Sequence, residues 1–299
     1  MPTPVYRSLT LSLGLCVAAS GLLGCDAIND ALTPTDSEEA AAAVGSVALT
    51  RLEASLLMAI AEQTPLGSTP EEMATAVEAA LPTVFSPADC VQAEAVGATV
   101  TMTLDACSGP RDLSLSGVVN VVYGLEGDQS VTISVTAVDL AIGDATMAIN
   151  ATGTYEQIEG GEHRAAVTTE GVGTAPGGRI VGRLGAYVVT WQGECYAIDG
   201  EWTSSLDDEI FVTTVSGYYV CASYCPAGGS IIYGKTNGGV GSGDISGTAL
   251  TISYIGDEAA PWVASDGSFG RQALQCTEDP EGREPPGGGG GDGDDDLFD

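Results

Sequence analysis

Val131-Thr132-Ile133-Ser134-Val135-Thr136 decides the fold, because branched apolar residues alternate there with hydroxyl residues at a strict period of two. Successive side chains of a strand point to opposite faces, so this stretch has one apolar face and one hydroxylated face. The same pattern recurs upstream, where Val100, Met102 and Leu104 alternate with Thr101 and Thr103. It recurs downstream, where Leu250, Ile252 and Tyr254 alternate with Thr251 and Ser253. Between such runs stand turn signals: Glu126-Gly127-Asp128, Gly160-Gly161, Pro176-Gly177-Gly178, Asn237-Gly238-Gly239 and Asp266-Gly267. Their short spacing leaves room for hairpins and none for helical crossovers. From about Ala98 to Gln275 the chain therefore reads as an antiparallel meander of about ten to twelve strands. Its apolar face must be buried by folding into a sandwich, curling into a half-barrel, or lying as a curved sheet under helices. The alternation is the same in all three.

Upstream of the meander the period changes to that of a helix. The segment from Asp36 to Gln63, DSEEAAAAVGSVALTRLEASLLMAIAEQ, is rich in Ala, Leu and Glu. Asp36 stands where a cap would, with Glu39 three positions on, the spacing of a capping box. A second helix starts at Thr69-Pro70-Glu71-Glu72, with a cap, proline at the first helical position and acids at the positive end of the dipole. It is expected to run to about Leu81, ahead of Pro82. The fold class is thus mainly β, an antiparallel meander preceded by two helices, with a helical segment over 36–85 and a β domain over 86–276.

The first 24 residues are read as a targeting segment. Arg7 is their one charge, and from Leu9 to Gly24 the sequence LTLSLGLCVAASGLLG carries none. That run is shorter than the roughly twenty residues that span a bilayer as a helix, so it reads as a signal-peptide core. It ends in Leu22-Leu23-Gly24-Cys25, followed by polar Asp26, Asn29 and Asp30. These four residues resemble the lipobox of bacterial lipoproteins. The resemblance implies that Cys25 is acylated and becomes the first mature residue, that 25–35 is a lipidated tether, and that the protein sits in the cell envelope of a Gram-negative bacterium. It would be lipid-anchored to the inner or outer membrane and face the periplasm or the exterior. One acyl chain binds a membrane marginally, whereas two or three hold it stably.

The cysteines fit export. Cys16 leaves with the signal and Cys25 takes lipid, so Cys90, Cys107, Cys195, Cys221, Cys225 and Cys276 remain, an even set suited to an oxidising compartment. Cys90 and Cys107 flank one strand-like run and are paired first, closing a loop for a stabilisation of roughly 3 kcal/mol. The pairing read for the other four is Cys195–Cys221 and Cys225–Cys276. Zinc needs four Cys or His ligands at characteristic spacing, and the sole histidine, His163, lies elsewhere, so no metal is expected.

Composition limits the partners. Nine Lys and Arg stand against 41 Asp and Glu, a formal charge of -32. Binding to nucleic acid rests on neutralising phosphates, and attraction to anionic headgroups needs basic clusters, so neither is expected and the acyl anchor is the membrane contact. The tail from 277 to 299, ending GGGGGDGDDDLFD, has no apolar periodicity and reads as a disordered acidic segment. Asp292, Asp294 and Asp296 match the start of a calcium loop, but Leu297 stands where that loop needs glycine.

Other matches point to chemistry less firmly. Gly229 to Thr236, GSIIYGKT, satisfies the phosphate-loop pattern with Lys235 as its lysine, yet Ile231, Ile232 and Tyr233 read as a strand and Asn237-Gly238-Gly239 as a hairpin turn. No nucleotide or other cofactor is therefore expected. His163 lacks a nucleophile elbow anywhere in the chain. Asp207, Asp208 and Glu209 could do paired-carboxylate work, but SLDDEI reads as a turn. Trp191, Trp202 and Trp262 are read as core before ligand platform. These features favour a non-catalytic envelope lipoprotein that binds an envelope protein or polymer, or serves structurally. The alternatives are a carrier of a hydrophobic or lipid ligand, since helices followed by an antiparallel sheet resemble the half-barrel of periplasmic lipoprotein carriers, and a carboxylate-based hydrolase. A carrier requires an apolar pocket between sheet and helices, an interaction module a filled core with an exposed aromatic patch, and a hydrolase convergent carboxylates in a cleft.

Overall fold

A computed structural model describes residues 34–274 and Cys276, apart from 112–113, 128–129, 143–144, 159, 175–179, 207–208, 223 and 239–243. The signal segment, Cys25, the tether, the acidic tail and the pair Asp207 and Asp208 lie outside the described residues.

Helix α1 spans Pro34–Ala61 and α2 spans Pro70–Val84. A single 3-10 turn, Ala88–Cys90, leads into the strands. They are β1 (Val91–Val96), β2 (Thr99–Ser108), β3 (Ser114–Leu125), β4 (Ser130–Ile142), β5 (Ala145–Gln157), β6 (His163–Thr174) and β7 (Ile180–Gln192). Then follow β8 (Cys195–Leu206), β9 (Glu209–Cys221), β10 (Gly228–Lys235), β11 (Ala249–Ser253), β12 (Ala259–Ala264) and β13 (Phe269–Ala273). All 13 belong to one open sheet whose spatial order is the chain order. Every strand pairs antiparallel with the next, as the hairpin spacing requires.

Three local expectations need correction. Among the described residues the meander has 13 strands and begins at Val91, because β1 and the short β12 and β13 carry little apolar alternation of their own. Helix α1 begins at Pro34, which puts Asp36 in its first turn instead of at the cap; proline at a first helical position gives up an N–H that no helix could satisfy. Helix α2 runs through Pro82 to Val84. Proline there removes one backbone bond near the helix end, while the Phe85 N–H donates to the Leu81 carbonyl at 3.1 Å and the chain stays helical. At the other end of α2 the capping box is formed: the Glu72 N–H donates to Thr69 Oγ1 at 3.3 Å and the Thr69 N–H donates to Glu72 Oε2 at 2.9 Å.

The alternation sorts as the residue types dictate. Val100, Met102 and Leu104, then Val131, Ile133 and Val135, then Leu250, Ile252 and Tyr254 are all buried on one face. That face curls around α1. Side chains of the one helix reach Thr169 on β6, Tyr187 on β7, Tyr196 on β8 and Thr213 on β9, and its backbone also packs on β10, β11 and β13. Curvature is shown by Arg111, between β2 and β3, which reaches the Gly193 carbonyl between β7 and β8, whereas five spacings of about 4.8 Å would hold them far apart in a flat sheet. Helix α2 covers β1 to β3. Bulges aid the bend. Register shifts fall side by side on β2, β3 and β4, between Leu104 and Cys107, Ser116 and Val118, and Ala137 and Leu140. Gly117 sits in the middle one at φ 138°, where an added Cβ would lie 3.1 Å from the Leu140 Cα.

Three disulfides tie the ends: Cys90–Cys107 joins the 3-10 turn to β2, Cys195–Cys221 crosses from β8 to β9, and Cys225–Cys276 fastens the chain after β13 to the β9–β10 connection. Helix α1 is apolar enough over Glu39–Ala61 to pass for a membrane span, with a mean hydropathy of 1.5, yet it is the helix the sheet wraps and most of that stretch is buried.

Candidate functional site

Side-chain size changes along α1. Its second half presents Leu56, Leu57, Met58 and Ile60 to the sheet, all buried, and fills the core there. Its first half reads AAAAVGSVAL from Ala40 to Leu49, mostly small residues; Ala40, Ala43 and Val47 are buried, while Ala42, Gly45, Ser46 and Leu49 leave a gap along one side. The result is a cleft of about 290 Å³ between the first turns of α1 and the inner face. Ala42, Gly45, Ser46 and Leu49 form its helical wall; Met147, Gly173, Val181, Ser204, Leu206, Phe211 and Tyr233 come from β5 to β10. Phe211 and Tyr233 stack with centroids 5.2 Å apart and stiffen one side. The lining is almost wholly apolar, with the hydroxyls of Ser46, Thr146, Thr174, Ser204 and Ser205 as its polar points.

A buried charge pair lies behind the wall of this cleft without lining it. Glu53 stands one helical turn beyond Leu49 and is 3% exposed. Its Oε2 accepts from Thr169 Oγ1 at 2.9 Å and its Oε1 from the Tyr187 hydroxyl at 2.9 Å. Arg183 is the next inward residue of β7 after cleft-lining Val181 and is paired across the sheet with cleft-lining Ser204. Its guanidinium lies 4.6 Å from the Trp202 ring centre, and the Trp202 indole N–H donates to Ser46 Oγ at 2.7 Å. The nearest approach of Arg183 to Glu53 is 3.9 Å, Nη1 to Oε2, an ion pair too long to be a hydrogen bond. Nε, Nη1 and Nη2 of Arg183 have no hydrogen-bond partner among the described residues. Burial pulls the Arg183 pKa below its usual value, and Glu53 and Tyr187 push against that shift. The Tyr187 hydroxyl is held well above the usual phenol value, first by burial and then by the charge of Glu53.

The opposite end of the curved sheet is closed differently. Arg111, in the β2–β3 connection, donates from Nη2 to Glu62 Oε1 at 2.6 Å and to the Gly193 carbonyl at 2.7 Å. It straps that connection to the end of α1 and to the β7–β8 turn. His163, Tyr155 and Trp191 form a triangle of rings, with centroids 5.9 Å apart for His163–Tyr155, 5.3 Å for His163–Trp191 and 5.8 Å for Tyr155–Trp191, and His163 Nδ1 is 3.0 Å from the Tyr155 hydroxyl. Burial, then the Glu62 charge, raises Tyr155 to about 12.

The residues singled out from sequence fall as follows. The three sulfur pairs are those read from the chain, with Cα separations of 5.3, 3.9 and 4.9 Å. Gly228–Lys235 is strand β10, and Lys235 pairs with exposed Glu209 at 2.9 Å, so the GSIIYGKT run is ladder and not a loop opening a helix. Trp191, Trp202 and Trp262 are all core. Among the described residues no three of His, Cys, Asp and Glu cluster as metal ligands do. On the outer face, a groove of about 460 Å³ over β5 to β8 holds Asn150, Glu170 and Glu201. Those groups already have partners: Asn150 donates to Glu170 at 2.8 Å, and Thr214 to Glu201 at 3.3 Å.

Sequence reading passed over Glu53 and Arg183. Each carried a signal: Glu53 interrupts the apolar run LEASLLMAIA, and Arg183 shares the inward parity of Val181, Gly185 and Tyr187 in a chain with few cations. Comparison of the chain with family models, with curated proteins and with solved structures finds no match.

Proposed function

We propose that this protein is a lipid-anchored bacterial envelope protein, held through Cys25 and facing the periplasm or the exterior, whose β domain works without catalysis as a binding module. Its ligand is an apolar chain seated in the cleft beside the first turns of α1. One observation carries the choice of ligand: the curved sheet packs closely around the second half of α1, whereas along one side of the first, at Ala42, Gly45, Ser46 and Leu49, it leaves a cleft with an apolar lining. Among the described residues all three tryptophans and most tyrosines are in the core, and Phe269 is an exposed aromatic without an aromatic patch around it. Export is supported by the three disulfides, which belong to an oxidising compartment, and the anchor by the lipobox-like run ending at Cys25.

Native mass spectrometry of the full-length protein extracted from its own membranes tests both halves. The expected species begins at Cys25, carries acyl chains, lacks six hydrogens relative to the reduced chain, and travels with a hydrophobic molecule. Ala42→Phe, which puts a ring into the cleft, is expected to remove the hydrophobic molecule and leave the acyl chains. A mature mass without acyl chains would refute the anchor. A bound molecule retained by Ala42→Phe would refute the cleft.

A further inference from the structure

Arg183 has donors that nothing in the protein takes up. A guanidinium carries five N–H donors in a planar fork and stays protonated in proteins. Here all three nitrogens are buried and none has a hydrogen-bond partner among the described residues. Glu53 does not supply one. Each of its oxygens already accepts a hydroxyl, from Thr169 and from Tyr187, and the contact to Arg183 is 3.9 Å. Trp202 offers the guanidinium a ring face, which compensates charge but accepts no N–H in the plane of the fork. A buried donor left unmade costs the desolvation of that group, so an unfilled fork at this depth is a demand for an acceptor.

The fork does not itself line the cleft but stands next to residues that do. Val181, two residues before Arg183 on the same face of β7, lines the cleft, and so does Ser204, the register partner of Arg183 on β8. Ser46 lines it too and accepts from the indole over which the guanidinium lies. Gly171 and Gly185 flank Arg183 on the inward face of β6 and β7, where an added Cβ would fall 2.9 Å from the Ala148 carbonyl oxygen and 2.5 Å from the Trp202 Cα, so the main chain packs closely on either side of the guanidinium. The planar fork matches a carboxylate, which can take two parallel N–H bonds. A phosphate would bring a second negative charge toward Glu53. A single-chain carboxylate accepts the fork at one end and offers methylenes to the apolar wall at the other.

We propose that the ligand of the cleft is a free fatty acid, bound with its carboxylate inward on Arg183 and its chain along Ala42, Leu49, Met147 and Val181. The inference rests on the cleft reading of the previous section and adds to it the chemistry of the head group.

The test compares sodium decanoate with decanol by isothermal titration at pH 7.5, on the full chain carrying Cys25→Ser and secreted through the signal so that the disulfides form and no detergent is present. Decanoate is expected to bind at least about tenfold more tightly than decanol. Arg183→Leu is expected to weaken decanoate by about tenfold or more and to leave decanol within about twofold. Glu53→Gln, which removes the competing charge and keeps an acceptor for one hydroxyl, is expected to tighten decanoate several-fold; near-ultraviolet circular dichroism confirms that each variant is folded. If decanol binds and decanoate is no better, water fills the fork, and the head-group inference falls while the cleft reading stands. If neither binds, both fall. If decanoate binds well but Arg183→Leu and Glu53→Gln leave it unchanged, the head group lies elsewhere and the inference is overturned.

Discussion

Glu53 and Arg183 should be worth little as a pair and a great deal to each other. In Glu53→Leu the guanidinium keeps its charge, loses the carboxylate that pairs with it, and remains buried, while Thr169 and Tyr187 lose the acceptor they share. Breaking a buried pair from one side costs about 3–5 kcal/mol, because the uncompensated charge and not the lost contact sets the magnitude. Arg183→Met is milder, since Glu53 retains two hydroxyl donors; about 2 kcal/mol is expected, at the upper part of the range for a hydrogen-bonded charge losing a partner. In the double variant both charges go and a volume of similar size returns as apolar surface, so the net cost should fall to within about 1–2 kcal/mol of the parent, a coupling of about 3–5 kcal/mol between the sites. Urea unfolding followed by tryptophan fluorescence reads this directly, because Trp191, Trp202 and Trp262 are all buried and Trp202 lies against the guanidinium. The measure is the shift in midpoint at constant slope. Costs that simply add, or a Glu53→Leu cost below about 1 kcal/mol, would show that the pair is solvated in the native state and would refute the reasoning.

Arg111→Ala should destabilise by about 2 kcal/mol, since a buried guanidinium bonding both Glu62 and the Gly193 carbonyl is lost, and hydrogen exchange at the β7–β8 turn should quicken. Gly45→Ala should stabilise by about 1 kcal/mol, read as a higher thermal midpoint, because an added Cβ there meets nothing within 4 Å and glycine weakens a helix interior. Gly185→Ala should do the reverse and sharply lower the yield of folded protein, its Cβ falling 2.5 Å from the Trp202 Cα. Removing Cys225–Cys276, which spans 51 residues, should cost about 4 kcal/mol against about 3 for Cys90–Cys107, which spans 17, by urea midpoint of the paired alanine variants. Stability should also fall in alkali. Tyr155 titrates near 12 and Tyr187 well above its usual value when folded, against about 10 when unfolded, so the native state holds protons that the unfolded chain releases; the contribution is intact below about pH 10 and is lost as pH rises through 12. Absorbance at 295 nm should show these tyrosines ionising only as the fold opens.

The strands were legible because hydroxyl and branched apolar residues alternate so regularly that a period of two admits no other reading, as in β4. Their closure was not. A sandwich and a curved sheet demand the same inward and outward alternation, and what separates them is whether one helix can lie across the inner face. That depends on Ser46, Arg51 and Glu53 meeting Trp202, Tyr196 and Tyr187, residues more than a hundred positions away. Pro82 misled for a related reason: proline tells where a helix ought to stop, but Leu81 is fully buried and the packing of α2 on β1 to β3 holds one more turn. The cysteine pairs were legible by proximity in the first case, and in the second because Cys195 and Cys221 flank a single hairpin. The cleft was half-written, in the run of small residues that opens α1.

Two departures from what stability alone would favour lie next to each other, and that adjacency is the strongest mark of a site. A sequence selected only to hold this fold would place a large apolar side chain at Ala42 to fill the cleft, as Leu56, Met58 and Ile60 fill the core further along the same helix. It would also place apolar residues at Glu53 and Arg183, since a buried pair seldom outweighs its own desolvation. Neither change would disturb the alternation or the hairpins. At the far end of α1 a second buried arginine, Arg111, leaves Nε and Nη1 without a partner among the described residues but places Nη2 on both a carboxylate and a carbonyl. Arg183 is given a carboxylate out of hydrogen-bond reach, beside an apolar space that the helix leaves unfilled. Sequences break such rules where function requires it, and here the unmet donors and the unfilled volume call for the two ends of one molecule.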